Sequence, residues 1–272
     1  MTKSRQAYPT DLNDTEGRLI EPYLPKPKTR RGRPREHAWR ELLNAIFYIT
    51  RSGCGWSLLP HDFPPPKTVY HYFRRWRPDG TWARLNAALN EAVRQSVGRA
   101  PRPSAAILDS QSVKTAEGGA ARGYDAGKKI AGRKRHIVVD TLGLVWRVLV
   151  TPGSVQDRDG ARQLLPALFE RIKQSRSSRR GRLKKIWADG SYRGELIDGV
   201  KRTLGWVLEI VEKRADQVGF QVLPKRWIVE RTFAWLNRQR RLSKDYERLP
   251  QTSEAFIHVA MIRLMLRRLA HR

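Results

Sequence analysis

An α/β domain preceded by a small all-α domain is what the sequence predicts, and three observations predict it. Residues 36–97 carry apolar side chains at helical spacing, without the alternation of strands. Past a Gly98-Arg-Ala-Pro-Arg-Pro103 linker, short apolar strands alternate with helical patterns. Two of those strands run into an aspartate, at Asp109 and Asp189. The expected domains are therefore residues 1–100 and 101–272.

The 272 residues are 40% apolar, enough for a real core. Lys and Arg number 54 against 26 Asp and Glu, a formal net charge of +28. That excess calls for a polyanionic partner, and positive charge that neutralises phosphates binds strongly and salt-sensitively. The cations are spread over the whole length, and neither a long apolar run nor an isolated basic amphipathic helix is present, so nucleic acid is favoured over a membrane surface. A single Cys54 excludes an internal disulfide and a Cys-based zinc site. The N-terminus, Met-Thr-Lys-Ser-Arg-Gln, does not lead into an apolar signal core, and a reducing cytoplasmic setting is expected.

In chain order, residues 1–25 hold turn-and-cap clusters around a short helical candidate. Lys26 to Arg35 follows as a basic arm with six cations in ten residues, expected to be extended and solvated. Its Gly-Arg-Pro centre resembles the AT-hook, a minor-groove-binding peptide, with Arg30, Arg31, Arg33 and Arg35 as contacts; a plain basic linker is the alternative. Trp39, Leu42, Leu43, Ile46 and Ile49 predict a helix ended by Gly53. Thr68 is the expected N-cap of a second helix, with Val69, Tyr72, Phe73 and Trp76 inward and Tyr70, His71, Arg74 and Arg75 outward. Two helices joined by a turn, the second presenting aromatic and cationic side chains, fit a helix-turn-helix entering a major groove; a helical subdomain with a solvated basic face is the alternative. A third helix is expected over Trp82–Val97.

Ala105–Asp109 reads as a short strand ending in a carboxylate, and Arg135–Asp140 with Leu142–Val150 as a hairpin turning at 141–143. Between them, Thr115–Lys134 is expected to be a mobile basic loop. Its Gly127-Lys128 is no phosphate loop, because Arg122 stands where the first Gly belongs and Lys129 where Ser or Thr should follow. Asp157 and Asp159 open a helix that buries Leu164, Leu165 and Leu168, and the helix dipole alone accounts for them. Leu183–Asp189 is a further strand, then come a turn, a helix, and a strand at Trp206–Glu212.

The stretch 224–248 is expected to be one helix, with Ile228, Thr232, Trp235 and Leu242 facing the core. Glu230 falls on the other side, between Arg226, Asn237 and Arg241, flanked by Trp227 and Phe233. It fits either a surface ion pair with Arg226, worth a few tenths of a kcal/mol, or a metal-binding carboxylate. Two Asp at strand ends and a Glu on a later helix can meet at a sheet edge. Bare carboxylates about 4 Å apart repel by roughly 4 kcal/mol at an effective dielectric of 20, so such a cluster needs protons or cations. Hard oxygen ligands beside a phosphate substrate select Mg²⁺ or Mn²⁺, two of which can drive an in-line displacement at phosphorus.

Several motifs together carry a resemblance: Gly53-Cys-Gly-Trp-Ser-Leu-Leu-Pro60, Val69-Tyr-His-Tyr-Phe-Arg-Arg-Trp76, Leu108-Asp-Ser-Gln-Ser-Val-Lys-Thr115, Ala188-Asp-Gly-Ser-Tyr-Arg193 and Arg226-Trp-Ile-Val-Glu-Arg-Thr-Phe-Ala-Trp-Leu236. The chain resembles the DDE transposases of bacterial insertion sequences, of the insertion sequence 5 group, with a ribonuclease H-like catalytic domain. The resemblance implies Asp109, Asp189 and Glu230 as catalytic triad and ligands of two Mg²⁺ or Mn²⁺ ions, Asp109 bridging both. It implies Arg226 and Arg231 on the DNA backbone near the scissile phosphate, with Lys114, Arg193, Arg238 and Arg241 as further DNA contacts. Double-stranded DNA, as terminal inverted repeats and target, is the implied partner, with a homodimer on DNA, no membrane, and a nucleoid-associated cytoplasmic location. The family's signature around the Glu is incomplete, since Leu223 stands at the Tyr position and Asn237 at the cation position. Forty-one positions separate Asp189 from Glu230, too few for a large inserted domain. A transcriptional regulator lacking the carboxylate site, a nuclease lacking strand transfer, and a domesticated or decayed copy, against which the intact triad argues, are the rival readings. The final helix, Ser253–Arg268, is expected to be buried in the core, with a protomer contact as the alternative.

Overall fold

The structure is a computed structural model that describes residues 5–25, 35–116, 121–174, 183–212 and 225–271. Arg30, Arg31 and Arg33 of the basic arm, and Leu223, lie outside the described residues.

Every described element up to Ser96 is helical, in keeping with the three helices expected over residues 36–97. α1 (Asp14–Ile20) starts on a capping box in which Asn13 and Glu16 satisfy each other's backbone amides. α2 (Trp39–Ser52) ends at Gly53, whose φ of 76° is the left-handed cap that glycine adopts without penalty. α3 spans Pro66–Arg75. It begins two residues before the expected Thr68 cap, because Pro66 at the first position has φ pre-set and no amide to leave unpaired. α4 (Thr81–Ser96) completes the group.

One sheet organises the remainder. β1 (Ala105–Lys114), β2 (Gly123–Asp125), β3 (Ile130–Asp140) and β4 (Val145–Pro152) are followed by α5 (Asp157–Gln174), β5 (Lys185–Ala188), α6 (Leu196–Leu204), β6 (Val207–Ile210), α7 (Arg226–Asn237) and α8 (Pro250–Ala270). The sheet runs β4-β3-β1-β5-β6, with β2 also pairing β3. β1, β3 and β4 are antiparallel neighbours, whereas β5 joins β1, and β6 joins β5, in parallel. The β3–β4 turn closes at Gly143, φ 79°, with Asp140 accepting from the amides of Leu142 and Leu144.

Two expectations need correction here. β1 does not stop at Asp109 but runs five residues further, because β3 pairs with it from Ala106 to Lys114. The segment expected to be a basic loop holds β2 and the first half of β3, because Gly123–Asp125 folds back on Ile130–Gly132 as a hairpin.

Helices cover both faces. α5 and α6 pack on one, around Leu108, Val138, Leu164, Leu168 and Ile186. Gly160 lets α5 approach the buried His136 ring, since a Cβ there would lie 2.2 Å from it. On the other face α7 and α8 share a continuous apolar cluster with α2, α3, α4 and the sheet. α8 is buried along most of its length through Phe256, Ile257, Val259, Ile262, Met265 and Leu266, as expected of a core helix.

The segment between α7 and α8 is clamped to β3 by two fully buried guanidiniums. Arg133 donates to the Asp245 carboxylate at 3.1 Å and to the carbonyls of Glu247 and Arg248. Arg135 donates to the carbonyls of Leu242 and Lys244. Asp245 also accepts from Ser253 Oγ. Removing one partner of such a pair strands the other charge in the core. Asp245→Ala is therefore expected to lower unfolding stability by about 3–5 kcal/mol in urea titrations. The exposed Arg162–Asp159 pair serves as control, and Asp159→Ala should cost less than about 1 kcal/mol.

Candidate active site

Side chains alternate across a strand, so Ile107 and Asp109 of β1 share a face, as do Trp187 of β5 and Asp189 just beyond it. Ile107 and Trp187 belong to the apolar cluster beneath α7, which identifies that face. β1 and β5 pair with Ile107 opposite Trp187, and pairing ends there. Two residues further in the same register, Asp109 and Asp189 stand on neighbouring strands at the point where β5 gives way to a 3₁₀ turn. Adjacent strands lie about 4.8 Å apart. Asp189 caps that turn by accepting from the Ser191 amide at 2.9 Å.

α7 brings the third carboxylate. It packs on β1 and seats on the β3–β4 turn, where Thr232 Oγ1 donates to the Gly143 carbonyl at 2.9 Å. Ile228, Val229, Thr232, Phe233 and Leu236 are buried, leaving Glu230 exposed. Phe233 thus faces the core and does not flank Glu230, and Trp235 is only half-buried. Arg226 stands between the carboxylates: its Nη2 lies 3.5 Å from Asp189 Oδ2 and 4.0 Å from Glu230 Oε1. The ion pair expected between Glu230 and Arg226 is therefore present, and the same guanidinium also reaches Asp189.

Burial, and secondarily the Asp189 charge, pushes the Asp109 carboxyl up to about 6, against the Ser110 amide and Arg226, which pull it down. A second polar network lies on the opposite face of β1. Ser110 Oγ donates to Asp157 at 2.6 Å, and Lys134 Nζ reaches Asp157 at 3.1 Å and Asp125 at 3.3 Å. Ser112 also donates to Asp125. Burial opposes ionisation of Asp125 and Asp157, but these hydrogen bonds and the Lys134 charge outweigh it, holding Asp125 near 2 and Asp157 below its ordinary value. Asp157 therefore does more than meet a helix dipole: it ties α5 to the residue after Asp109. Tyr192 is fully buried nearby, and burial together with Asp109, Asp157 and Asp189 raises its hydroxyl well above the ordinary range, so it remains a neutral phenol. Sequence reading missed Lys134, Asp125 and Asp157 as a unit because its members come from three elements; only Ser110, adjacent to Asp109, carried a signal.

The predicted cationic residues divide by position. Tyr70, His71, Arg74 and Arg75 lie on the exposed side of α3, and Lys114 is exposed at the end of β1. Arg193 is exposed and paired with Glu212. Arg35 stacks over the Trp39 ring at 4.0 Å. Arg231 lies between the rings of Trp227 and Trp235, at 4.5 and 4.8 Å, and Arg238 is exposed at the end of α7. Arg241 departs from expectation. α7 stops at Asn237, and Arg241 and Leu242 lie on a separate 3₁₀ turn, where Leu242 is buried and Arg241 is held by Glu247 at 2.6 Å and the Cys54 carbonyl at 3.1 Å. The helix breaks there because the next residues are drawn onto Arg135 of β3.

The all-oxygen donor set of Asp109, Asp189 and Glu230 suits a hard divalent cation. Among the described residues no three His, Cys, Asp or Glu side chains converge as a metal centre, and the positive charges acting on Asp109 are those of Arg226 and Lys128. No described helix is long and apolar enough to cross a membrane.

Residues 100–265 match the family described as "Transposase DDE domain", and residues 12–86 match "Putative transposase of IS4/5 family". A relative from Burkholderia cepacia, "Putative transposase for insertion sequence element IS402", is 35% identical over 129 residues, covering 46% of this chain and 59% of that one. The chain spans about three-fifths of the length of this curated relative. No solved structure matches.

Because the Asp109 carboxyl titrates higher in the folded chain than the ordinary 3.8, the folded state holds the extra proton between pH 4 and 6. Stability then falls as pH rises through that window, and the penalty is complete above it. Without metal, Asp109→Asn is expected to unfold at a higher temperature than the unsubstituted chain at pH 7.5, by up to about 2–3 kcal/mol, with the gain gone at pH 4. Calorimetry at the two pH values checks this.

Proposed function

Because the chain belongs to the DDE transposase family, we propose that it binds the terminal inverted repeats of an insertion sequence, cleaves the DNA there, and joins the 3′-OH ends to target DNA. The observation that carries this reading is the register placing Asp109 beside Asp189, with Glu230 of α7 linked to Asp189 through Arg226. The order and sense of β4-β3-β1-β5-β6 support reading the domain as ribonuclease H-like.

In this reading Asp109, Asp189 and Glu230 hold two Mg²⁺ or Mn²⁺ ions. Such ions, when bound, lower the pKa of a water or a 3′-hydroxyl and stabilise the leaving oxygen at phosphorus. The chain's own residues prepare the site. Burial and the Asp189 charge disfavour the ionised form of Asp109, a cost that a bound cation would offset. Arg226 holds the Asp189 and Glu230 charges in place; with those charges neutralised, its guanidinium is free to donate to the backbone near the scissile phosphate. Lys225 stacks on Trp187 at 4.0 Å, which fixes the start of α7 over the strand that leads to Asp189.

DNA recognition is assigned to the helical N-terminal part. α2 and α3 form the helix-turn-helix, and Tyr70, His71, Arg74 and Arg75 on the exposed face of α3 reach the major groove. The basic arm containing Arg30, Arg31, Arg33 and Arg35 follows the backbone or minor groove alongside. Lys114, Arg193, Arg231 and Arg238 contact DNA around the cleft, and two protomers pair on the two ends. The chain acts on DNA in the cytoplasm.

Asp109→Asn is expected to reduce Mg²⁺-dependent cleavage of a labelled duplex carrying the terminal repeat by roughly three orders of magnitude or more. Its affinity for the same duplex in a gel-shift titration should change less than about threefold, since 0.6 kcal/mol covers that range. Undiminished cleavage by this variant would remove the triad assignment. Joining of a 3′-OH end into a second DNA separates a transposase from a nuclease.

A further inference from the structure

A cleft on the same side of the sheet as α7 has, apart from Arg238, no residue with a role in the chemistry above. It has two lobes, of about 300 and 210 Å³, which share Thr10, Arg51 and Arg238. The N-terminal segment, the end of α2, the end of α7 and the last turns of α8 form its walls. Arg240 lines one lobe and Arg267 the other.

All four of these guanidiniums are exposed, and among the described residues none is paired with a carboxylate. Arg263, which also lines the cleft, is already neutralised by Glu16 at 2.5 Å, and so is not counted with them. Local carbonyls occupy only part of their donor capacity: Arg51 donates to the Arg238 carbonyl, and Arg267 to Pro9 at 3.3 Å. Each guanidinium has five N–H donors. The Thr10 hydroxyl is buried at the junction of the lobes with no hydrogen-bond partner.

A purely structural role for these cations is to meet the negative ends of α2, α7 and α8. Three helix C-termini supply together about one and a half units of negative charge, against four positive charges around one cavity. The surplus of about two and a half is repulsive unless an anion enters. The position also has a direction. Arg238 lies eight residues past Glu230 on a helix that rises 1.5 Å per residue, so the cleft is about 12 Å along α7 from the third carboxylate.

We infer that this cleft binds a backbone phosphate of the DNA strand engaged at Asp109, Asp189 and Glu230, held by Arg51, Arg238 and Arg240 with the Thr10 hydroxyl as a further donor. The inference rests on the proposed action on DNA. It adds a phosphate seat built jointly by the N-terminal helices and the catalytic helix, so that a strand held there keeps the two parts in one register.

The test compares the full chain with an Arg51→Gln/Arg240→Gln variant, and with Arg202→Gln on the exposed side of α6 as control. Binding to a repeat-bearing duplex is measured between 50 and 200 mM salt, after circular dichroism shows matching spectra. The double variant should lower the slope of log affinity against log salt by about one, as for one lost phosphate contact, and the control should leave it unchanged. A second arm alters the DNA and leaves the protein intact. Neutral methylphosphonate linkages, placed singly, should weaken binding about three to four base pairs from the scissile phosphate, the distance that 12 Å spans at 3.4 Å per base pair. That weakening should vanish in the double variant. An unchanged slope together with no such position overturns the inference. So does a slope change without any DNA position, accompanied by inorganic phosphate raising the melting temperature of the unsubstituted chain alone; the cleft would then take free phosphate. Failure of the unsubstituted chain to bind any duplex would overturn the function itself, which is a separate result.

Discussion

β1 is the strand on which this structure depends. On one side it pairs with β3 through nine residues; on the other it pairs with β5 through only three. The long pairing holds β1 straight past Asp109, and the short one ends just before it, so the carboxylate sits inside a strand yet at an open edge. β5 cannot continue because Asp189 turns its side chain back to cap the 3₁₀ turn. Two carboxylates are thus set side by side by backbone hydrogen bonds, whose summed energy exceeds the repulsion between them.

The composition overstates how much positive charge is available to a polyanion. Arg133 and Arg135 are wholly buried, Arg94 pairs with Asp140 in the interior, and Arg241 is spent on Glu247 and a carbonyl. These guanidiniums serve as internal cross-links, because a planar group with five donors can satisfy several carbonyls at once. The net +28 still implies a polyanionic partner, but the residues that meet it are a subset defined by exposure. Arg241 shows the difference, having been placed beside Glu230 by helical geometry and found on another element.

Much of the architecture was legible because local chemistry determined it. The caps at Asn13 and Gly53, the hairpin at 141–143 and the aspartates after Leu108 and Ala188 all rest on residues within a few positions of one another. The misreadings share a cause. β1 was cut short, and the β2–β3 hairpin taken for a loop, because polar residues such as Ser110, Ser112, Arg133 and Lys134 break the apolar pattern. Their side chains are satisfied by partners distant in sequence, including Asp157, Asp125 and Asp245. The helix 224–248 was read too long for the complementary reason, since its periodicity continues after the backbone has been drawn onto Arg135.

By itself, the sequence determined most of the helices, the side of α7 on which Glu230 lies, and the three acidic residues that fit a metal-dependent phosphoryl transfer. Those follow from spacing, capping and side-chain chemistry, which act over a few residues. Tertiary structure decided the register that brings Asp109 to Asp189, the placement of Arg226 between Asp189 and Glu230, and which arginines are cross-links. It also formed the cleft at Arg51, Arg238 and Arg240 from segments nearly 190 positions apart. These depend on strand pairing and burial between distant segments, and no local pattern encodes the distance between two side chains that meet only when the chain closes.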